Sequence, residues 1–145
     1  MKYLIPFFIL SSIVFGQDLS LLRKYLEIAP DNKTICKQMI DSVPANTTNP
    51  VFLAYLGAYQ TIWANHVFNP LSKLSTFNKG KKNIQKAVTM DSNNVEIRFI
   101  RYSIQKNAPR FLGYSSDLAT DKKFIETHRD EVKSSVLDNL INKVL

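Results

Sequence analysis

Apolar residues recur along this chain with the period of a helix. In "DLSLLRKYLEIAPDN" they fall at Leu19, Leu22, Tyr25, Leu26 and Ala29, and Pro30 closes the run. "DNKTICKQMIDSVPAN" repeats the pattern through Ile35, Met39, Ile40 and Val43 and stops at Pro44. Two further helices are expected to open on the same dipeptide, Asn49-Pro50 and Asn69-Pro70. The asparagine oxygen can accept from free amides of the first turn, and the fixed φ and missing donor of proline suit the first helical position. The fourth helix carries an apolar row at Leu71, Leu74, Phe77, Ile84 and Val88. "VEIRFIRYSI" alternates like a strand at Val95, Ile97 and Phe99, then slips phase at Ile100, Tyr102 and Ile104. With Asn94 as cap, it is predicted to be a helix as far as Asn107. "NAPRFLGYSSD" reads as a loop whose Ser116 caps a sixth helix with Leu118, Lys122 and Ile125 in line. The last helix sets Val132, Val136, Leu140, Ile141 and Val144 on one face. The expected fold is all-α, with antiparallel helix pairs joined by short turns.

The third helix should occupy the middle. Between Asp41 and Lys73 there is no Asp, Glu, Lys or Arg, and Phe52, Tyr55, Leu56, Tyr59, Ile62 and Trp63 form a wide stripe with Ala54 and Ala58 on the other sides. A helix apolar nearly all round is either the buried centre of a bundle or a sticky surface for a partner or bilayer. It is too short, and too polar at Gln60, Thr61 and Asn65, to span a membrane.

Composition adds a compartment. "MKYLIPFFILSSIVFGQ" has a lone cation at Lys2, an uncharged stretch from Tyr3 to Phe15, and Val14 and Gly16 before Gln17, as a signal peptidase requires. Residues 1–16 are therefore expected to be a cleaved secretory signal, the alternative being an uncleaved anchor, and residues 17–145 a single α-helical domain. The expected destination is the periplasm or the exterior, with no integral membrane span once the signal is removed. Loss of Lys2 lowers the formal charge from +7 to +6. That balance favours acidic partners. Export argues against nucleic acid, which leaves anionic polymer or lipid. A lone cysteine, Cys36, cannot form an internal disulfide, so it is a small core residue or an intermolecular bridge.

One stretch carries a family resemblance. "QKAVTMDSNN" resembles the second-helix ending of a tetratricopeptide repeat, usually Gln-Lys-Ala-Leu-Glu-Leu-Asp-Pro-Asn-Asn, with Ala87 on the small position where two helices touch and Ser92 in place of proline. "YLGAY", with Leu56 and Gly57, resembles the Leu-Gly pair of the first helix, and "YLEIAPDN" resembles another ending; Gly80 stands where alanine is usual. The resemblance implies a short α-α superhelix that offers a groove to a peptide or protein partner.

Catalytic chemistry is not indicated. His66 and His128 stand far apart without a second His or Cys within a turn, so no metal site is expected. There is no phosphate loop and no nucleophile elbow, and no enzyme activity or cofactor is expected. The candidate ligand-binding residues are Arg98 and Arg101, three apart on a helix flank, with Arg110 and Tyr114 in the loop that follows. Planar guanidinium groups hold carboxylates or phosphates by two points. The competing reading pairs them with Glu96, Asp91 or Asp117 as structural bridges. Lys79, Lys82 and Lys86, with Lys73 earlier, form a row that is either a solvated face or a contact for anionic lipid or polymer.

Overall fold

Helix boundaries follow the caps. The computed structural model describes residues 14–145 and contains seven α-helices: α1 Val14–Tyr25, α2 Lys33–Ser42, α3 Pro50–Trp63, α4 Pro70–Met90, α5 Val95–Asn107, α6 Leu118–Thr127 and α7 Ser135–Val144. Most of the expected leader lies outside the described residues, and for residues 14–18 only the helical backbone is described. Asn49 Oδ1 accepts from the amides of Val51 and Phe52 at 3.0 and 3.2 Å. Asn69 does the same for Leu71 and Ser72 at 2.9 and 3.1 Å, and Asn94 for Glu96 and Ile97 at 3.0 and 3.1 Å. The phase slip in "VEIRFIRYSI" is thus resolved as helix. Among the described residues there is no strand, and no helix is long and apolar enough to cross a membrane.

The expected cap of α6 is corrected. Asp117, not Ser116, precedes the helix, and it uses no side-chain cap. Its carboxylate accepts from Gln105 Nε2 at 2.9 Å while its amide donates to Gln105 Oε1 at 3.1 Å. A two-way bond to α5 takes the place of a local one.

α3 is the centre. Every residue from Phe52 to Ile62 is buried, and α2, α4 and α5 all pack on it. Its contact with α4 is backbone on backbone. A Cβ placed on Gly57 would stand 2.6 Å from the carbonyl oxygen of Gly80, and one on Gly80 would stand 2.7 Å from the amide of Thr61. Gly57 also abuts Ile84. Partner numbers therefore fall along α4 as they rise along α3, so the two helices run antiparallel. Asn83 on α4 donates to Gln60 on α3 at 2.7 Å beside the crossing, which satisfies a buried amide without opening it.

That pairing explains a second correction. α4 has 21 residues and α3 has 14, about 31 and 21 Å at ~1.5 Å per residue. Continued from Gly57–Ile84 and Thr61–Gly80, the alignment brings the end of α3 level with Phe77, and the first two turns of α4 overhang. Phe77, Ile84 and Val88 of the expected row are buried, but Leu71 and Leu74, on the overhang, are 79% and 46% exposed. In α7 the buried positions are Leu137, Leu140 and Ile141, while Val136, expected on that face, is exposed.

Buried polar bonds tie α1, α2 and α5 to α3. Tyr59 Oη donates to the carbonyl of Leu22 at 2.6 Å, and Cys36 Sγ, fully buried, donates to the carbonyl of Tyr59 at 3.4 Å. Tyr55 Oη donates to Glu96 Oε1 at 2.7 Å, and Arg23 grips both oxygens of Glu96 at 2.7 Å each. The bond to Glu96 is the main reason that the Arg23 pKa is raised.

Two outcomes are expected from this core. Gly80→Ala should lower unfolding free energy by about 1–3 kcal/mol through overpacking, although the same change in an open helix would gain up to ~1 kcal/mol; a urea midpoint that holds or rises would show that the helices can part freely. The second concerns alkali. Burial pushes the Cys36 thiol up to about 12 from 9.0, and Tyr55 and Tyr59 upward from 10.0. Above pH 9.0 the unfolded chain therefore holds fewer protons than the native one, so stability is full below that pH and falls as pH rises. Urea midpoints measured across the alkaline range should drop steeply, and a flat profile would contradict the burial of these groups.

Candidate functional site

The structure brings Arg98 and Arg101 together, with Tyr114 in electrostatic reach of Arg101, and leaves Arg110 apart. Arg98 and Arg101 of α5 both grip Asp121 of α6, which is fully buried. Arg98 Nε donates to Asp121 Oδ1 at 2.5 Å and its Nη1 to the carbonyl of Ser92 at 2.8 Å, with the guanidinium 4.3 Å from the centre of the Phe124 ring. Arg101 donates to both carboxylate oxygens at 2.7 and 2.8 Å and to Gln85 Oε1 at 3.2 Å, and stands 3.6 Å from Asp117. Burial alone would lower the Arg101 pKa, but the hydrogen bonds and charge of Asp121 outweigh it and the net shift is upward. These donors are spent inside the protein. Arg110 is exposed and has no acidic partner among the described residues. Tyr114 is buried with its ring edge-on to Phe77 at 5.9 Å and Lys81 over it at 4.9 Å. Burial pushes its hydroxyl up to about 12, against the opposing pull of Gln105 and Arg101.

Of the three expected partners Asp117 bridges Arg101 at 3.6 Å, but the acid that holds both arginines, Asp121, lies outside them. Glu96 precedes Arg98 and Arg101 by two and five positions, about 200° and 140° round the helix, so it faces α1 and α3 instead. Asp91 accepts from Asn94 Nδ2 at 3.2 Å. Asp121 was legible in one respect: it falls in line with Leu118 and Ile125, and an acid on an apolar stripe must find a cation once buried.

An apolar cleft lies elsewhere, under the overhang of α4. A groove of about 440 Å³ is walled by Leu74 and Phe77 of α4, floored by Ile62 and Ile104, and closed by Pro109 and Phe111 of the loop after α5. Arg110–Leu112 forms a 3-10 turn that ends at Gly113, whose φ of 62° lets the chain reverse so that Tyr114 turns inward while Phe111 stays 87% exposed. Phe68 and Leu71, 94% and 79% exposed, continue the apolar surface at the start of α4. Lys73 lines the groove and its Nζ donates to the carbonyl of Ala64 at 3.2 Å. A cluster of exposed large apolar residues around a cleft is the usual mark of an interaction surface.

The histidines are held locally. His66 Nε2 lies 2.9 Å from the carbonyl of Ala29, and His128 stacks on Phe124 with its Nδ1 2.8 Å from that residue's carbonyl. Among the described residues no group of three or more His, Cys, Asp or Glu could hold a metal ion.

Asp121→Asn should cost about 3–5 kcal/mol of stability, because it leaves two guanidinium groups around an uncharged amide. Chemical denaturation measures this, and a loss below ~1 kcal/mol would mean that the arginines are free to take an outside anion. Comparison with known proteins returns no matching family profile, no matching curated protein and no matching solved structure.

Proposed function

We propose that this chain is an exported, non-enzymatic helical scaffold that seats an apolar segment of a peptide or protein partner in the groove beneath α4. One observation carries the reading: Leu74 and Phe111 are 46% and 87% exposed on the rim of a concave apolar cleft, where nothing in the fold needs them. Elsewhere the large apolar side chains of α4 and α5 are buried, except Met90 at the end of α4. The buried acids support a role without turnover, since Glu96 and Asp121 are fully engaged by Arg23, Arg98 and Arg101. The leader-like sequence of residues 1–16 supports a place in the cell envelope. A tetratricopeptide-like arrangement fits the buried small residues Gly57, Gly80 and Ala87 at helix contacts, though the groove reading does not depend on it.

The exposed lysines Lys79, Lys82 and Lys86 favour a second reading, a basic surface for anionic envelope polymer or lipid. Salt separates the two, because binding led by charge weakens steeply with ionic strength whereas apolar seating does so mildly.

Selection from a random peptide-display library against the native chain, with the double variant Leu74→Ser and Phe111→Ser as counter-selection, tests the proposal. Both positions are exposed, so folding should be unchanged within about 0.5 kcal/mol. Binders whose affinity falls at least about tenfold in the variant are expected. Enrichment solely of peptides that bind both forms equally would overturn it.

A further inference from the structure

From the charges around the groove we infer the class of its occupant: an amphipathic helical segment of a partner polypeptide, with apolar side chains toward α4 and acidic ones toward the rim. This inference rests on the groove reading and adds the sign of the charge.

Every residue that lines the groove comes from two runs of the chain, 42–90 and 97–116. Neither run contains an Asp or Glu; together they contain Lys73, Lys79, Lys81, Lys82, Lys86, Arg98, Arg101, Lys106 and Arg110. Arg98 and Arg101 are paired with Asp121 and Asp117 from outside these runs. The cations at the groove itself are not. Lys73 meets a backbone carbonyl, and Arg110, between the lining residues Pro109 and Phe111, has no acidic partner among the described residues. A cleft with an apolar floor and uncompensated positive rim selects a ligand with the opposite arrangement, and a basic occupant would meet like charge without relief.

The walls favour polypeptide over bilayer. The apolar floor is recessed between helices, so a flat lipid surface would reach Phe68, Leu71 and Phe111 but leave Ile62 and Ile104 uncovered. Asn65 and Asn107 stand on the lining with amide groups that can pair with peptide bonds and that a hydrocarbon phase would desolvate. Asn107 uses its Nδ2 on the carbonyl of Ser103, which leaves its oxygen as an acceptor. A helix that places apolar residues at i, i+3, i+4 and i+7 presents a ridge suited to such a cleft.

The test uses the native chain and two synthetic peptides about 16 residues long, identical in their apolar face and carrying either Glu or Lys on the other. Fluorescence anisotropy is read for native protein, Phe111→Ser and Arg110→Glu, and co-sedimentation is read with phosphatidylcholine–phosphatidylglycerol vesicles. The inference expects the Glu peptide to bind at least about tenfold more tightly than the Lys peptide, to weaken in both variants, and to lose affinity as salt rises. Equal binding of the two peptides, lost in Phe111→Ser, would overturn the acidic class and leave the groove reading standing. Failure of both peptides to bind would overturn both; vesicle binding abolished by Phe111→Ser alongside it would reassign the surface to anionic lipid.

Discussion

Two glycines set the distance between the central helices. Gly57 and Gly80 place the backbone of one helix against the carbonyl of the other, with no room for a methyl group between them. Close contact of this kind maximises dispersion contacts along α3 and α4 and fixes their axial alignment, because only one register puts a glycine opposite a glycine. The rest of the layout follows from that register. The end of α3 falls level with Phe77, α4 overhangs, and the loop after α5 turns back beneath the overhang to leave a cleft with an apolar floor.

Around this axis the fold uses a small number of buried acids as fasteners. Glu96 joins α1, α3 and α5 through Arg23 and Tyr55; Asp121 joins α5 to α6 through Arg98 and Arg101. Each carboxylate receives charged donors on both oxygens, the condition under which a buried charge is tolerated. The arrangement also divides the surface. Glu96 and Asp121 are drawn inward, Asp31 and Asp41 lie exposed around α2, and the lining of the groove carries no acid.

Much of this was legible in sequence, for reasons that differ by element. The Asn-Pro starts of α3 and α4 announced themselves because capping is local chemistry, decided within four residues. The burial of α3 followed from the lack of any charge between Asp41 and Lys73. The exposure of Leu71 and Leu74 was not legible. Helical periodicity reports which residues share a face but not how far along that face a neighbour extends, and the length difference between α3 and α4 decides it. Of the expected partners of Arg98 and Arg101, Asp117 does bridge Arg101, but Asp121 was missed for a similar reason: rotation about α5 turns Glu96 away and leaves Asp121 of the next helix in reach. Gly80 looked like a departure from the repeat pattern, and in space it is the counterpart of Gly57.

Native-state amide hydrogen exchange addresses the crossing most directly. If the α3–α4 contact organises the molecule, amides of Ala54–Thr61 and Gly80–Val88 should exchange solely through global unfolding, with free energies equal to the unfolding free energy from denaturant, while α6 and α7 open earlier. Faster exchange in α3 than in α6 or α7 would contradict the account, because the element said to hold the others in place would then be coming loose before them.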